Sequence, residues 1–116
     1  MEEKRTQESS SGDRILLTCT SIFGGSVILT QRTMNHIKER HPEVFSLENL
    51  VGRIQATVEE PEFVAKGRTN EYVSLRRISD THRFLAVFYI DNGRIKTVFI
   101  TSKPESFRRR GVIWPK

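Results

Sequence analysis

The chain has little cysteine and no long apolar run. Because Cys19 is its single cysteine, it forms no internal disulfide and no zinc site built from cysteines alone. No apolar stretch approaches the ~20 residues that a membrane-spanning helix needs. The first residues are polar and acidic, unlike a secretory signal. We therefore expect a cytoplasmic protein without a membrane partner.

Several motifs of cofactor and hydrolase chemistry are also missing. The sequence has no P-loop, no G-x-G-x-x-G, no G-x-S-x-G and no paired cysteines, so we expect no cofactor. Positive charge is present instead, since 19 Lys and Arg residues against 14 Asp and Glu residues give a net charge of +5. This balance favours polyanions, including nucleic acid, through counterion release. An ordinary solubilising surface is the alternative interpretation.

The length of 116 residues fits one domain. Residues 1–13 are polar and lack an apolar period, which predicts a disordered tail. Residues 14–102 are expected to form a single domain. Residues 103–116 contain the run Arg108-Arg109-Arg110 and are expected to form a basic C-terminal tail.

Apolar patterning predicts an α+β fold. Short apolar runs on either side of Gly24-Gly25 predict two strands, at 15–19 and 26–29. Helical spacing predicts two helices, one at 31–41 with Thr30 as N-cap and one at 47–59 with Ser46 as N-cap. Both helices are expected to pack on an antiparallel sheet of about four strands, formed by residues 63–66, 72–78, 83–90 and 94–101.

Asn92-Gly93 is a strong signal for a two-residue hairpin loop. Such a loop pairs Phe88 with Thr97 and Ala86 with Phe99. The sheet face that carries Phe88 and Phe99 is richer in aromatic side chains than the opposite face. We therefore expect this aromatic face to pack against the two helices.

The segment from Thr33 to Glu43 holds two of the three histidines. His36 and Arg40 are four residues apart and share a helical stripe, which Arg32 extends by one turn. An imidazole can accept or donate a proton near pH 7, and an arginine can clamp a phosphate. Two histidines among cations suit phosphodiester cleavage without a metal. Alternatively, His41 caps the helix and contacts the core, and His36 is only an exposed polar side chain.

A shared metal ion is not expected at these histidines. His36 and His41 are five residues apart, which places them about 140° apart around a helix, so they do not point at one ion. No accompanying H-E-x-x-H motif is present.

Two further polar groups are candidates for phosphate contacts. Lys66, Arg68 and Tyr72 surround a glycine turn and form either a phosphate-binding edge or a solvated hairpin rim. Lys96 and Thr97 are adjacent in a strand and point to opposite faces. Thr97 is either an ordinary strand former or a hydroxyl directed into a site.

A family resemblance joins several of these motifs. The segment His36-Ile37-x-x-Arg40-His41-Pro42-Glu43, the amphipathic helix that ends at Pro61 and the late strand Ile95-Lys96-Thr97-Val98-Phe99 resemble small phage- and toxin-associated domains of the barnase–EndoU–colicin–RelE-like ribonuclease superfamily. The resemblance covers roughly residues 29–102. It implies helices that precede a four-stranded antiparallel sheet, and metal-independent RNA cleavage that yields a 2′,3′-cyclic phosphate.

The resemblance also implies roles for individual residues. His36 becomes the leading acid–base candidate, His41 the second, and Thr97 a third catalytic position. RNA is the implied partner, together with an antitoxin or another acidic protein. A non-catalytic nucleic-acid-binding module and a protein-interaction domain are the alternatives. The residues expected to bind phosphate or RNA are Arg40, Lys66, Arg68, Tyr72 and Lys96.

Overall fold

The computed structural model describes residues 13–116. Of the predicted N-terminal tail, only Asp13 belongs to the described residues, and the prediction for 1–12 lies outside them. The described elements are β1 (Ile15–Thr20), β2 (Ser26–Thr30), α1 (Gln31–Arg40), a 3₁₀ helix (Pro42–Ser46), α2 (Leu50–Glu59), β3 (Phe63–Lys66), β4 (Tyr72–Arg77), β5 (Phe84–Tyr89), β6 (Ile95–Thr101), α3 (Pro104–Arg108) and β7 (Val112–Trp114). No described helix is long and apolar enough to cross a membrane.

The strands form a two-stranded sheet, β1-β2, and a five-stranded sheet of order β6-β5-β4-β3-β7. Every pairing between neighbouring strands is antiparallel. The α+β class predicted from the sequence is therefore confirmed, and the main sheet has one strand more than the expected four.

The first helix begins as its cap predicts, and the second does not. The Thr33 N–H donates to the Thr30 hydroxyl at 3.3 Å, which satisfies one free donor of the first turn of α1. Ser46 instead ends the 3₁₀ helix, and its hydroxyl donates to the Glu43 carbonyl at 2.8 Å. The start of α2 shifts to Leu50, because Asn49 adopts a left-handed backbone with a φ of 52° immediately before it.

The hairpin between β5 and β6 has the predicted pairs but a different loop. Phe88 pairs with Thr97 as expected, whereas Tyr89 pairs with Ile95. The Ile90 N–H donates to the Arg94 carbonyl at 2.9 Å, so the loop has three residues rather than the predicted two. Lys96 is the extra residue of a β-bulge, which restores the predicted register.

The helices cover the aliphatic face of the sheet, so the predicted assignment of the aromatic face to them is wrong. Leu85, Val87 and Val98 pack with Ile37 of α1 and with α2. The aromatic face has its own buried cluster, in which α3 supplies the covering side chain. Its aromatic members are Phe63, Phe84, Phe88, Phe99 and Phe107.

The segment after residue 102, predicted as a basic tail, belongs to the folded sheet. Val112 of β7 pairs with Ala65 of β3, and Gly111, at a φ of 118°, joins α3 to this strand. Phe107 is only 4% exposed. Because three arginines follow Phe107 directly in the sequence, the short helix that buries its ring was not recognised from the sequence.

Candidate functional site

An open cleft of about 390 Å³ lies between the first half of α1 and the start of β6. We call it the cationic cleft because three basic side chains line it with one histidine. Its lining residues are Asp13, Thr30, Arg32, Thr33, His36, Arg94 and Lys96.

The helical wall of the cleft follows from the pattern of α1. Met34 and Ile37 are buried against the sheet, which turns the Arg32 and His36 stripe outward. Arg32 and His36 are four residues apart and therefore project from the same side of the helix. The Thr30 cap fixes the start of this helix, so both side chains stand on a rigid element.

The strand wall of the cleft depends on the bulge and on a docked loop. The bulge places Lys96 outside the regular alternation of β6, and bulges commonly redirect a side chain in this way. Arg94 is held beside β2, because the Ile28 N–H donates to the Gly93 carbonyl at 3.1 Å. Since β2 leads directly into α1, this contact brings Arg94 and Lys96 to the helical wall.

Side-chain hydrogen bonds secure the same loop. The Ser21 hydroxyl donates to the Asp91 carboxylate at 2.5 Å, and the Ser26 N–H donates to the Asn92 side-chain oxygen at 3.2 Å. A Cβ atom at Gly25 would lie 2.3 Å from the Asp91 carboxylate, so a side chain there would push this carboxylate away from its present position. The strand wall is thus positioned by contacts that join residues far apart in the sequence.

Positive charge dominates the cationic cleft. The cleft is lined by three basic side chains, Arg32, Arg94 and Lys96, and Asp13 is the only carboxylate among its lining residues. The Asp13 carboxylate accepts the Arg32 backbone N–H at 2.9 Å, at the start of α1. Three cations around one opening attract oxyanions such as phosphate.

The second predicted histidine lies away from this cleft. The His41 backbone N–H donates to the Ile37 carbonyl at 2.6 Å and closes α1. Its ring centroid is 5.2 Å from that of Phe99, and its Nδ1 is 3.8 Å from the Glu43 carboxylate. His41 does not line the cationic cleft, and its position matches the capping and packing alternative.

The other predicted site residues are dispersed. Arg40 is exposed in the last turn of α1, and Thr97 pairs with Phe88 on β6. Lys66 and Tyr72 are paired across β3 and β4, beside the turn that carries Arg68.

The Tyr72 ring packs between two other rings. Its centroid lies 4.5 Å from Phe23 and 5.9 Å from Tyr89. This side chain therefore connects the β1-β2 turn to the sheet, and it does not line the cationic cleft.

Of the eight predicted site residues, the cationic cleft brings together only His36 and Lys96. Sequence reasoning placed Arg32 on the His36 stripe but did not include it in the site. Arg94 gave no comparable signal, because its position depends on the loop that docks against β2. Thr33 lies three residues before His36 on α1, so helical spacing could have found it. Asp13 was missed because it joins the site only through its contact with the start of α1.

Other reactive groups of the described residues lie elsewhere. Burial, with a smaller contribution from the negative charge of Glu59, raises the pKa of the Cys19 thiol to about 11, so it is a poor nucleophile. Within residues 13–116, no three or more His, Cys, Asp or Glu side chains are grouped closely enough to hold a metal ion.

Comparisons with known proteins do not assign this chain to a family. No family model matches it, and the searches of curated proteins and of solved structures found no match. Function is therefore inferred from the residues of the cationic cleft.

Proposed function

We propose that this chain is a cytoplasmic, toxin-like endoribonuclease that cleaves RNA in the cationic cleft without a metal. The observation that supports it is the convergence of His36 with Arg32, Arg94 and Lys96 on one open cleft. An acid–base imidazole beside several cations suits an RNA phosphodiester. The sequence resemblance to small ribonuclease domains points to the same chemistry.

In the proposed reaction His36 takes the proton of a ribose 2′-hydroxyl. The 2′-oxygen forms a bond to phosphorus while the bond from phosphorus to the 5′-oxygen breaks, which leaves a 2′,3′-cyclic phosphate. Arg32 and Arg94 bind the phosphate oxygens and stabilise the charge that develops on them. The departing oxygen receives a proton from Lys96, because arginine does not release one in proteins.

A non-catalytic nucleic-acid-binding module is the second candidate function. The observation that favours it is the position of His41, which leaves His36 as the only histidine lining the cationic cleft. Such a module would retain RNA through the same cations without forming a product. An acidic protein, such as the antitoxin of a toxin, could neutralise the cleft in either case.

The test is incubation of the purified chain with mixed RNA in EDTA, beside His36→Ala and His82→Ala. His82 is exposed in the turn between β4 and β5 and is not among the cleft residues, so it is the matched histidine control. We expect cleavage with cyclic-phosphate ends by wild type and His82→Ala, and none by His36→Ala.

The remaining outcomes separate the candidates. Cleavage by His36→Ala at the wild-type rate would remove His36 from the mechanism. Salt-dependent retention of RNA without product would favour the binding module. If the chain neither cleaves nor retains RNA, a protein partner becomes the better hypothesis.

A further inference from the structure

The aromatic face of the sheet is only partly covered by the rest of the protein. α1 and α2 pack on the opposite face, and the helix that packs on this one is α3, which has five residues. Phe107 of α3 is 4% exposed, whereas Phe88 and Phe99 remain partly exposed. The ring centroids of Phe88 and Phe99 lie 5.4 Å apart. Two neighbouring rings on this face are therefore accessible to a ligand.

The exposed rings belong to a row of side chains that crosses the sheet. Phe63 on β3 pairs with Leu75, Leu75 pairs with Ala86, and Ala86 pairs with Phe99 on β6. Phe63 and Phe99 therefore lie three strands apart in one row, roughly 14 Å at the usual spacing of strands. The His41 ring lies at the β6 end of the row, with its centroid 5.2 Å from that of Phe99. The row gives an extended chain a path across the strands.

Three guanidinium groups lie over rings of the same face, each with its Cζ atom 4.0–5.0 Å from a ring centroid. The pairs are Arg77 over Phe84, Arg108 over Phe63 and Arg110 over Phe107. A guanidinium held in this way still has N–H donors for a phosphate, and its plane is a further surface on which a base can stack. The aromatic face thus combines rings and cations in alternation.

The positive charge of this face is only partly balanced. Arg108 Nε lies 3.2 Å from the Glu105 carboxylate. Among residues 13–116, no carboxylate lies within ion-pair distance of the guanidinium of Arg77 or of Arg110. Arg109, between Arg108 and Arg110, is exposed as well. The excess of positive charge on this side of the sheet is complementary to a polyanion.

Partly exposed rings beside cations that lack an ion pair match the chemistry of single-stranded nucleic acid. Its unpaired bases stack on aromatic side chains and on guanidinium planes, while its phosphates are attracted to the neighbouring cations. An acidic protein would satisfy the arginines but has no set of flat bases for the rings. The combination therefore favours an unpaired nucleic-acid strand over a protein as the ligand.

We infer that the aromatic face binds single-stranded RNA, with bases against Phe88 and Phe99 and a phosphate at Arg110. The inference rests on the proposed function for the choice of RNA, but it concerns a different surface. None of these three residues lines the cationic cleft. The aromatic face would thus hold the RNA chain at a distance from the phosphodiester that is cleaved.

Fluorescence anisotropy of the full chain with a labelled, short oligo(dT) strand tests this surface. The probe lacks the 2′-hydroxyl that cleavage needs, so it stays intact. Phe99→Leu keeps an apolar side chain but removes the ring, and it should weaken binding about ten-fold. Phe45→Leu makes the same change at a ring that is 40% exposed and lies beside Lys38 of α1, so binding should not change. Equal weakening by both variants, or no binding by wild type, would overturn the inference.

A second pair of variants tests the phosphate contact without changing a ring. Arg110→Gln should weaken binding and lower the slope of log affinity against log salt by about 0.7, the value for one phosphate of a single strand. Arg53→Gln removes the same charge from α2, on the other side of the sheet, and should leave both quantities unchanged. Thermal melting confirms that each variant is folded. If Phe99→Leu does not fold, the arginine pair decides, and equal effects of both arginine variants would refute the inference.

The same probe annealed to oligo(dA) tests whether unpaired bases are recognised. A duplex hides its bases and should bind more weakly than the single strand, and a duplex that bound as tightly would refute stacking on the rings. The outcome is separable from the proposed cleavage. Binding that depends on Phe99 without any cleavage of RNA would support the inference and refute the ribonuclease. Cleavage by wild type, with equal oligo(dT) binding by Phe99→Leu and Phe45→Leu, would do the reverse.

Discussion

Phe107→Ala tests whether the C-terminal segment is part of the folded domain. The Phe107 ring is 4% exposed, and its centroid lies 6.1 Å from those of both Phe88 and Phe99. Removing a buried phenylalanine costs about 3–5 kcal/mol through lost transfer energy and the cavity that remains. We expect ~3 kcal/mol, since α3 has only five residues and can relax toward the gap.

The measurement is urea unfolding of wild type, Phe107→Ala and Phe45→Ala. Phe45 is 40% exposed, so the same substitution there should cost below ~1 kcal/mol. If α3 and β7 separate from the sheet in Phe107→Ala, the native state exposes more surface and the denaturant slope falls as well. A cost at Phe107 no larger than that at Phe45 would refute the packing and restore the basic tail predicted from the sequence.

Two further predictions concern charge. Asp13→Asn removes a negative charge from the cationic cleft but keeps an oxygen that accepts the Arg32 N–H, so RNA should bind about five-fold more tightly in a filter-retention assay, or ~1 kcal/mol. Glu39→Gln, on the exposed side of α1, is the charge-matched control. Equal tightening by both variants would contradict a local effect. Burial raises the pKa of Cys19 from 9.0 to about 11, so the folded state holds this proton more tightly than the unfolded state. The resulting stabilisation is complete below pH 9 and is lost as the pH rises to about 11. Cys19→Ala should therefore flatten part of the alkaline decline in the urea midpoint, and an unchanged pH profile would contradict this assignment.

Local signals in the sequence predicted the fold where one residue type dictates the backbone. Thr30 before the α1 pattern is one such signal, and Asn92-Gly93 between two strands is another. The predicted pairs Phe88–Thr97 and Ala86–Phe99 were correct although the loop length was wrong, because the bulge at Lys96 offsets the extra loop residue. The pattern of apolar residues in the sequence does not reveal a bulge of this kind.

The choice of sheet face depended on information that the strands do not contain. Both faces of β5 are apolar, so β5 could meet the helices with either face. In the structure Phe107 packs on the aromatic face, and α1 and α2 cover the aliphatic face. One buried ring, that of Phe107, followed by three arginines gives no periodic apolar pattern. Residues 103–116 were therefore predicted to form a tail.

The candidate site was predictable only on the side that α1 provides. His36 and Arg32 share a helical stripe by spacing alone, whereas Arg94 joins them through contacts across the fold. Spacing also separated His36 from His41 by about 140°, yet the motif led both to be placed in the site. The helix geometry was the better guide in this case.

The cationic cleft exists only when two distant parts of the chain dock. Ser21 and Asp91, which are 70 residues apart, join the β1-β2 turn to the β5-β6 loop, and this contact sets Arg94 and Lys96 opposite α1. Bringing cations together opposes folding through their mutual repulsion, and the docking hydrogen bonds offset that cost. Neither α1 nor the hairpin alone surrounds a phosphate. An arrangement that gathers like charges at an open cleft is what the proposed binding of RNA phosphate requires.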